Sequence, residues 1–421
     1  MSKDKRKLFL IFIFIFYLIF LFVFISSNNN QNETFIDFLF IGDVIPHDSI
    51  RKFADKYTYE YFLSNFFSYI SSFMSENSSF FYNLETPILD KMKQFYPYIF
   101  SEEKRLPEAF AKYNFKNISI SNNHILDWGY DGFYSTIKIL NKLKEEYNIY
   151  FSGFISKNGF EYCFYKINNI KIGFISITLL LNNNSEFEKI SKLFSKKEID
   201  YIPLYIQIKN YKNILSKENN TLLSFIDKIK EIKKNVDILV LGIHWGDEYS
   251  IYPSNFQIEL SKIFIENGVD IIWGHHPHIL EPIMIYKERP VIFSNGNFFS
   301  GQARNLNWDS KNNVNENYFF TKSIPIFYIS FIKNGEYFKL KSIKLFPFYQ
   351  LNNNGISLLK PLFDKENNND KNLFISYEFM RKQFFNNFLF QNGDFEKLSK
   401  DKIEEIIKIN INNFFEIIFN Y

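Results

Sequence analysis

The chain has 421 residues and a single cysteine, Cys163. No intramolecular disulfide can form, and cysteine usage therefore says nothing about compartment. Cys163 lies in the run Phe160-Glu161-Tyr162-Cys163-Phe164-Tyr165, a strand-like pattern that suits a packed core thiol better than a nucleophile. A surplus of either charge is also missing, since 49 Lys and Arg face 46 Asp and Glu for a net charge of +3. Such balance gives no electrostatic case for nucleic acid as a partner. Alanine is scarce, and Phe, Ile, Asn and Lys are heavily used. That bias is the kind that A/T-rich codons impose, so abundance alone is weak evidence of function. Histidine is scarce too: there are six in the whole chain, and scarcity makes their positions informative.

Three of the six fall in Trp273-Gly274-His275-His276-Pro277-His278. This stretch follows Val269-Asp270-Ile271-Ile272, a short apolar run that reads as a buried strand. In an extended backbone, side chains two apart share a face. His276 and His278 would then aim at one point, and His275 would point the other way. Pro277 biases His276 toward an extended conformation. The remaining histidines, His47, His124 and His244, each lie at or just past the end of an apolar, β-branched run. Sites in α/β folds form at the carboxyl ends of strands. One pocket that gathers all six is the simplest reading, and neutral imidazole is the commonest metal-ligating side chain.

At the N-terminus, Lys3, Lys5, Arg6 and Lys7 precede Leu8–Ile25, eighteen unbroken apolar or aromatic residues. That length just spans a bilayer as a helix at about 1.5 Å per residue. No small-x-small cleavage pattern follows, and no cysteine lies near to accept a lipid. Residues 1–25 read as an uncleaved signal anchor whose basic flank stays in the cytoplasm. Residues 26–33 read as a tether, 34–348 as the main domain outside the cytoplasm, and 349–421 as an Asn-rich extension that turns helical.

Within the main domain, strands are expected at Thr34–Ile41, Ser79–Tyr82, Asn117–Ser121, Asp237–Ile243 and Val291–Ser294. Helical spacing marks Tyr57–Met74, Leu222–Lys234 and Asn255–Asn267, the last stopped by Gly268. Asp131 is placed to N-cap a helix running to Tyr147. Hairpins are expected around Asn168-Asn169 and Asn334-Gly335. Lys91–Arg105 reads as an aromatic loop, Leu180–Glu218 as a polar, irregular insertion over the site, and Gly301–Asn317 as another polar loop. Strands alternating with helices argue for an α/β fold.

Six motifs stand in order along the chain: Gly42-Asp43-Val44; Asn83-Leu84-Glu85; Asn122-Asn123-His124 with Asp127-Trp128-Gly129; His244-Trp245-Gly246 with Glu248-Tyr249; Gly274-His275-His276-Pro277-His278; and Ser294-Asn295-Gly296-Asn297-Phe298. Together they resemble the CapA-like capsule-synthesis (poly-γ-glutamate) family, within the calcineurin-like metallophosphoesterase superfamily. The resemblance covers Gly42 to Phe298 and neither the N-terminal run nor the residues beyond Leu351. It implies a four-layer sandwich of two mixed sheets flanked by helices. It also implies a divalent-metal centre of two ions (Mn, Fe or Zn) at the strand ends. Asp43, Glu85, Asn123, His244, His276 and His278 would be ligands, and His124 the catalytic histidine beside them. Asp127 either orients His124 or caps the next helix. His47, Asn83, His275, Glu248 and Asn297 are candidates for further ligands or for support behind them. The wider superfamily carries Asp-x-His in its first motif, whereas position 45 here is Ile. Either His47 substitutes or one ion is held weakly.

Two ions about 4 Å apart clamp a phosphoryl group and acidify water, with an adjacent imidazole as acid or charge stabiliser. Two functions from different classes follow. The first is a membrane-anchored, single-pass, extracytoplasmic hydrolase acting on a phosphoester or on an anionic polymer such as poly-γ-glutamate. The second is a non-catalytic surface protein that tethers such a polymer or helps export it, with structural metal. Capsule-synthesis membrane proteins are the expected partners. His124 favours the first, and the missing Asp-x-His the second.

Overall fold

The computed structural model describes residues 34–45, 47–91, 99–301, 320–353, 356–362, 371–386, 389–391 and 414–419. The expected anchor Leu8–Ile25, the tether and most of the loop Gly301–Asn317 lie outside these residues. Among the described residues no helix is long and apolar enough to cross a membrane.

Two large sheets face each other. The first runs, in spatial order, through strands Ile356–Pro361, Tyr337–Asn353, Ser323–Asn334, Phe35–Ile45, Ser78–Leu84, Asn117–Ser119 and Tyr150–Ser152. Asn297–Ser300 pairs in parallel with the end of Phe35–Ile45, and Phe415–Ile418 pairs with Tyr337–Asn353. The second sheet runs Leu389–Gln391, Ile283–Tyr286, Arg289–Ile292, Ile271–His275, Ile238–His244, Ile170–Thr178 and Cys163–Ile167. Both sheets are mixed, as expected.

Alternation along the first strand explains the layering. Ile36, Phe38 and Phe40 pack with Phe81, Phe174, Val240 and Trp273 in the core shared by both sheets. Leu39 and Ile41 point the other way, onto helices Asp48–Tyr57, Tyr59–Ile70, Arg105–Lys112 and Gly129–Tyr147. The outer face of the second sheet packs on helices Asn220–Lys233 and Asn255–Glu266. Strands buried on both faces read as continuous apolar runs, which is why they were legible. The hairpin turns at Asn168 and Asn169, both left-handed with φ of 47° and 66°, as the two-residue turn requires. Helix Asn255–Glu266 is followed by Gly268 at φ 115°.

Four expectations need correction. Asp131 does not cap its helix, which starts at Gly129 after Trp128; Asp131 sits in the first turn, where its charge suits the helix dipole. Leu180–Glu218 is not irregular, since it holds helix Asn184–Ser195, capped by the Asn183 side chain, and strand Tyr201–Pro203. Helices Asp48–Tyr57 and Arg105–Lys112 stand on either side of what was read as one helix and one loop. The described residues after Leu351 are not all helical: they return strands Ile356–Pro361 and Phe415–Ile418 to the first sheet and Leu389–Gln391 to the second, alongside helix Lys371–Arg381. These pairings join residues far apart in sequence, which local periodicity cannot report.

Candidate metal centre and active site

Strands Phe35–Ile45, Ser78–Leu84 and Asn117–Ser119 run parallel in one sheet. Strands Ile170–Thr178, Ile238–His244 and Ile271–His275 run parallel in the other. Their carboxyl ends meet at one end of the sandwich. Close backbone approach fixes them there. A Cβ on Gly42 would lie 1.8 Å from the Gly296 carbonyl oxygen, and one on Gly274 would lie 2.0 Å from that of Phe293. Only glycine lets these chains touch, and each glycine precedes a site residue.

Asp43 is fully buried at the centre. Its Oδ1 accepts the Asn83 amide at 2.8 Å, and its Oδ2 lies 3.1 Å from Nδ1 of His278. The same Oδ2 accepts the backbone N–H of His276 at 3.3 Å. His278 Nδ1 also lies 3.1 Å from Oδ1 of Asn297, the residue paired with Asp43 across the parallel ladder. Glu85 Oε1 accepts no hydrogen bond; it lies 3.6 Å from His244 Nε2 and 3.9 Å from His278 Nε2. Asn123 Oδ1 lies 2.9 Å from His244 Nε2. Potential ligand atoms converge in four overlapping groups, each within 4.8 Å: Asp43, His244 and His275; Glu85, His244 and His276; Glu248, His276 and His278; Asp43, Glu85 and His278.

His275 shares no group with His276 or His278, but it meets Asp43 and His244 in the same cluster. The strand ends at His275, and the next residues are not extended: His276 and His278 adopt φ of 102° and 61°. Left-handed conformations at non-glycine residues are costly and persist where surroundings impose them. Here Trp245 N–H bonds the His275 carbonyl at 3.1 Å, Tyr249 N–H that of Pro277 at 2.9 Å, and Asn295 N–H that of Gly274 at 3.0 Å. His47 is the second correction. Its Nδ1 accepts the Gly301 N–H at 3.1 Å, its ring packs on Phe100, and it joins none of the four groups. It does not replace the histidine missing at the buried Ile45. Trp245 shapes the wall, with its indole N–H donated to the Phe293 carbonyl at 2.9 Å.

Burial and mutual proximity set the charges. Burial alone would raise the Asp43 carboxyl, but the hydrogen bond and charge of His278, with help from His275 and Asn83, hold it below its usual range. Glu85 is pushed well up by burial first, then by the charge of Asp43. Burial, then the neighbouring imidazoles, drives His244 far down. Burial depresses His275 to about 4 and His276 to about 3. His244, His275 and His276 are thus neutral at pH 7, the form that ligates metal. Buried polar atoms normally find partners. Glu85 Oε1, His244 Nδ1, His276 Nδ1, Asn83 Oδ1 and both ring nitrogens of His275 have none. Carboxylate, amide oxygen and imidazole with unused lone pairs, held in a buried cluster, fit a divalent cation of the Mn, Fe or Zn kind.

His124 stands beside this cluster and belongs to none of its four groups. Its Nδ1 lies 2.9 Å from Asp127 Oδ2, and its ring packs on Phe100 with centroids 4.5 Å apart. Asp127 also accepts the Phe100 N–H at 2.7 Å, so it orients His124 and does not cap the helix. Three supporting residues escaped the sequence reading. Asn122 Oδ1 accepts the His124 N–H at 3.1 Å. Phe100 forms the stacking wall. Asn182 accepts the Asn123 amide at 3.1 Å and has its own amide nitrogen 3.3 Å from His124 Nδ1. Asn182 lies four residues beyond the strand Ile170–Thr178, so the strand-end rule was its available signal.

The family described as bacterial capsule synthesis protein PGA_cap matches residues 37–302, more than half of the chain. The chain belongs to that family. The PGA_cap match holds every residue of the four groups and the His124–Asp127 pair. Among its curated relatives, the capsule biosynthesis protein CapA of Bacillus anthracis is 26% identical over 276 residues, 64% of this chain and 61% of the relative. The PGA biosynthesis protein CapA of Bacillus subtilis is 27% identical over 275 residues, 64% of this chain and 65% of the relative. The matched part thus spans a little under two thirds of these PGA_cap relatives. A solved calcineurin-like phosphoesterase, YfkN from Bacillus subtilis, aligns over 83% of this chain and 98% of its own, with 12% identity and a TM-score of 0.42.

Proposed function

We propose that the protein is a membrane-anchored, extracytoplasmic, metal-dependent hydrolase of capsule or poly-γ-glutamate biosynthesis, acting on a phosphoester or on an amide-linked anionic polymer. The observation that carries this reading is the Asp127–His124 pair. A purely structural metal site needs no oriented imidazole next to its ligand set.

Asp43, Glu85, Asn123, His244, His276 and His278 would hold the cations, with Asn83 and Asn297 fixing the orientation of Asp43 and His278. When bound, divalent ions supply Lewis-acid polarisation of a phosphoryl or carbonyl oxygen and acidify water. The protein's own residues do the rest. Asp127 would accept the His124 Nδ1–H, and in the doubly protonated ring the Nε2–H would give its proton to the leaving group or face developing charge. Phe100 covers one face of that ring and limits water there. The neutral, buried imidazoles keep cation affinity from being lost to protonation near neutral pH.

The test uses the full-length protein in detergent, loaded with Mn²⁺ or Zn²⁺, against bis(p-nitrophenyl) phosphate and a γ-glutamyl amide. Turnover that disappears with chelator and falls in His124→Ala supports the hydrolase. Absence of turnover on both substrate classes, together with intact polymer attachment by His124→Ala in cells, favours the second reading, a tether or export factor with structural metal.

A further inference from the structure

Ile45 stands where the resemblance asks for a histidine, and the chain offers a different imidazole to the same carboxylate. We infer that His275 is a ligand of the cation held by Asp43. The inference rests on reading the buried cluster as a metal centre. It adds a residue that the first-motif pattern does not supply.

Four observations converge on His275. It is fully buried, and neither ring nitrogen has a hydrogen-bond partner. A buried histidine that serves only to fill a core normally satisfies at least one nitrogen. One ring nitrogen of His275 groups with ligand atoms of Asp43 and His244 inside 4.8 Å. The ring is held in place. Trp273 packs edge-on against it with centroids 4.5 Å apart, and His244 lies directly opposite across the parallel ladder. The backbone beside it is closely packed, since a Cβ at Gly274 would lie 2.0 Å from the Phe293 carbonyl oxygen. The other candidate, His47, gives its Nδ1 to the Gly301 N–H and stands outside the groups. A side chain at Ile45 offers no donor at all. His275 is thus the imidazole without a hydrogen-bond partner beside Asp43, and of the further candidates it is the one placed to ligate.

The experiment is direct detection of the bond. Full-length protein in detergent, labelled with ¹⁵N-histidine and loaded with ¹¹³Cd²⁺, is examined by NMR for one-bond ¹⁵N–¹¹³Cd coupling. Assignments come from single His→Gln variants. We expect coupling at His244, His275, His276 and His278 and none at His47. In parallel, calorimetric titration of Mn²⁺ into His275→Ala should show one binding event weakened by about tenfold or more and the other unchanged. His47→Ala should match wild type in that titration. Coupling at the other three histidines without coupling at His275 overturns the inference and leaves the metal centre standing. Failure of the wild type to bind cadmium or manganese overturns both. Should His275→Ala fail to fold, the coupling on wild type decides alone.

Discussion

Nδ1 of His124 lies 2.9 Å from Oδ2 of Asp127, and that same oxygen anchors the backbone of Phe100, whose ring packs on His124. One carboxylate thus fixes both the direction of the imidazole and the wall beside it. Because His124 lies in none of the metal-capable groups, His124→Ala should keep metal content and melting temperature near wild type. Turnover should fall by about 10²-fold or more, in line with loss of a general acid or charge stabiliser. Asp127→Ala should lower turnover in the same direction while leaving metal content intact. Metal analysis and steady-state kinetics on both variants check this. Unchanged turnover with metal retained in His124→Ala would refute the role.

The stretch His276-Pro277-His278 supplies ligand atoms to three of the four groups. Replacing both histidines with Ala should strip metal and remove the stabilisation that metal confers. A ligand present at 100 times its dissociation constant stabilises the folded form by about 2.7 kcal/mol. Wild type should therefore melt higher on adding Mn²⁺ or Zn²⁺, and the double variant should not respond. Thermal melts with and without metal measure the difference. A metal response preserved in the double variant would remove both residues from the centre.

Much of this arrangement was legible because its signals are local. Phe38–Ile41, Ile238–Ile243 and Ile271–Ile272 are apolar runs, and the residues that follow such runs in an α/β fold face a common end. What was missed depends on contacts between distant segments. Strict alternation assumed an extended backbone through His276 and His278. The left-handed turn found there is held by N–H groups of Trp245, Tyr249 and Asn295, which no reading of the motif alone contains. Asn182 was hidden by abundance, one asparagine among many in a segment read as irregular. Strand Phe415–Ile418 was hidden by distance, since its partner is the strand Tyr337–Asn353.

Topology is open to a separate test. A reporter fused after Glu33, in place of the folded domain, should be active only on the outer side of the membrane if Leu8–Ile25 acts as an uncleaved anchor. An alkaline phosphatase and a fluorescent-protein fusion, compared in a bacterial host, read the two sides. Recovery of the intact full-length protein in the soluble fraction would remove the anchor.

Acid should remove the stability that the buried imidazoles contribute to the metal-free protein. His275 and His276 are depressed from 6.5 to about 4 and about 3, and His244 is depressed as well, each chiefly by burial. The folded state leaves these rings neutral where the unfolded chain protonates them, so their contribution is present above 6.5 and is lost as pH falls. Glu85 opposes them: raised by burial and by Asp43, it keeps its proton in the fold above 4.5, where the unfolded chain has released it. Between 4.5 and 6.5, unfolding takes up protons on the three imidazoles and releases one from Glu85; Glu102 and Glu281, also raised by burial, release protons in the same interval, so the imidazoles are read against a variant that lacks two of them. The stability that these imidazoles contribute therefore falls with pH across that interval. Urea midpoints of chelator-treated wild type and a His275→Gln, His276→Gln variant at pH 7.5 and 5.0 measure it, with wild type expected to lose more than the variant on going to 5.0. Metal should raise the midpoint at pH 7.5 and do less at 5.0, because protons compete for the same ring nitrogens. An equal loss in wild type and the variant without metal would mean that these rings are not held neutral by the fold.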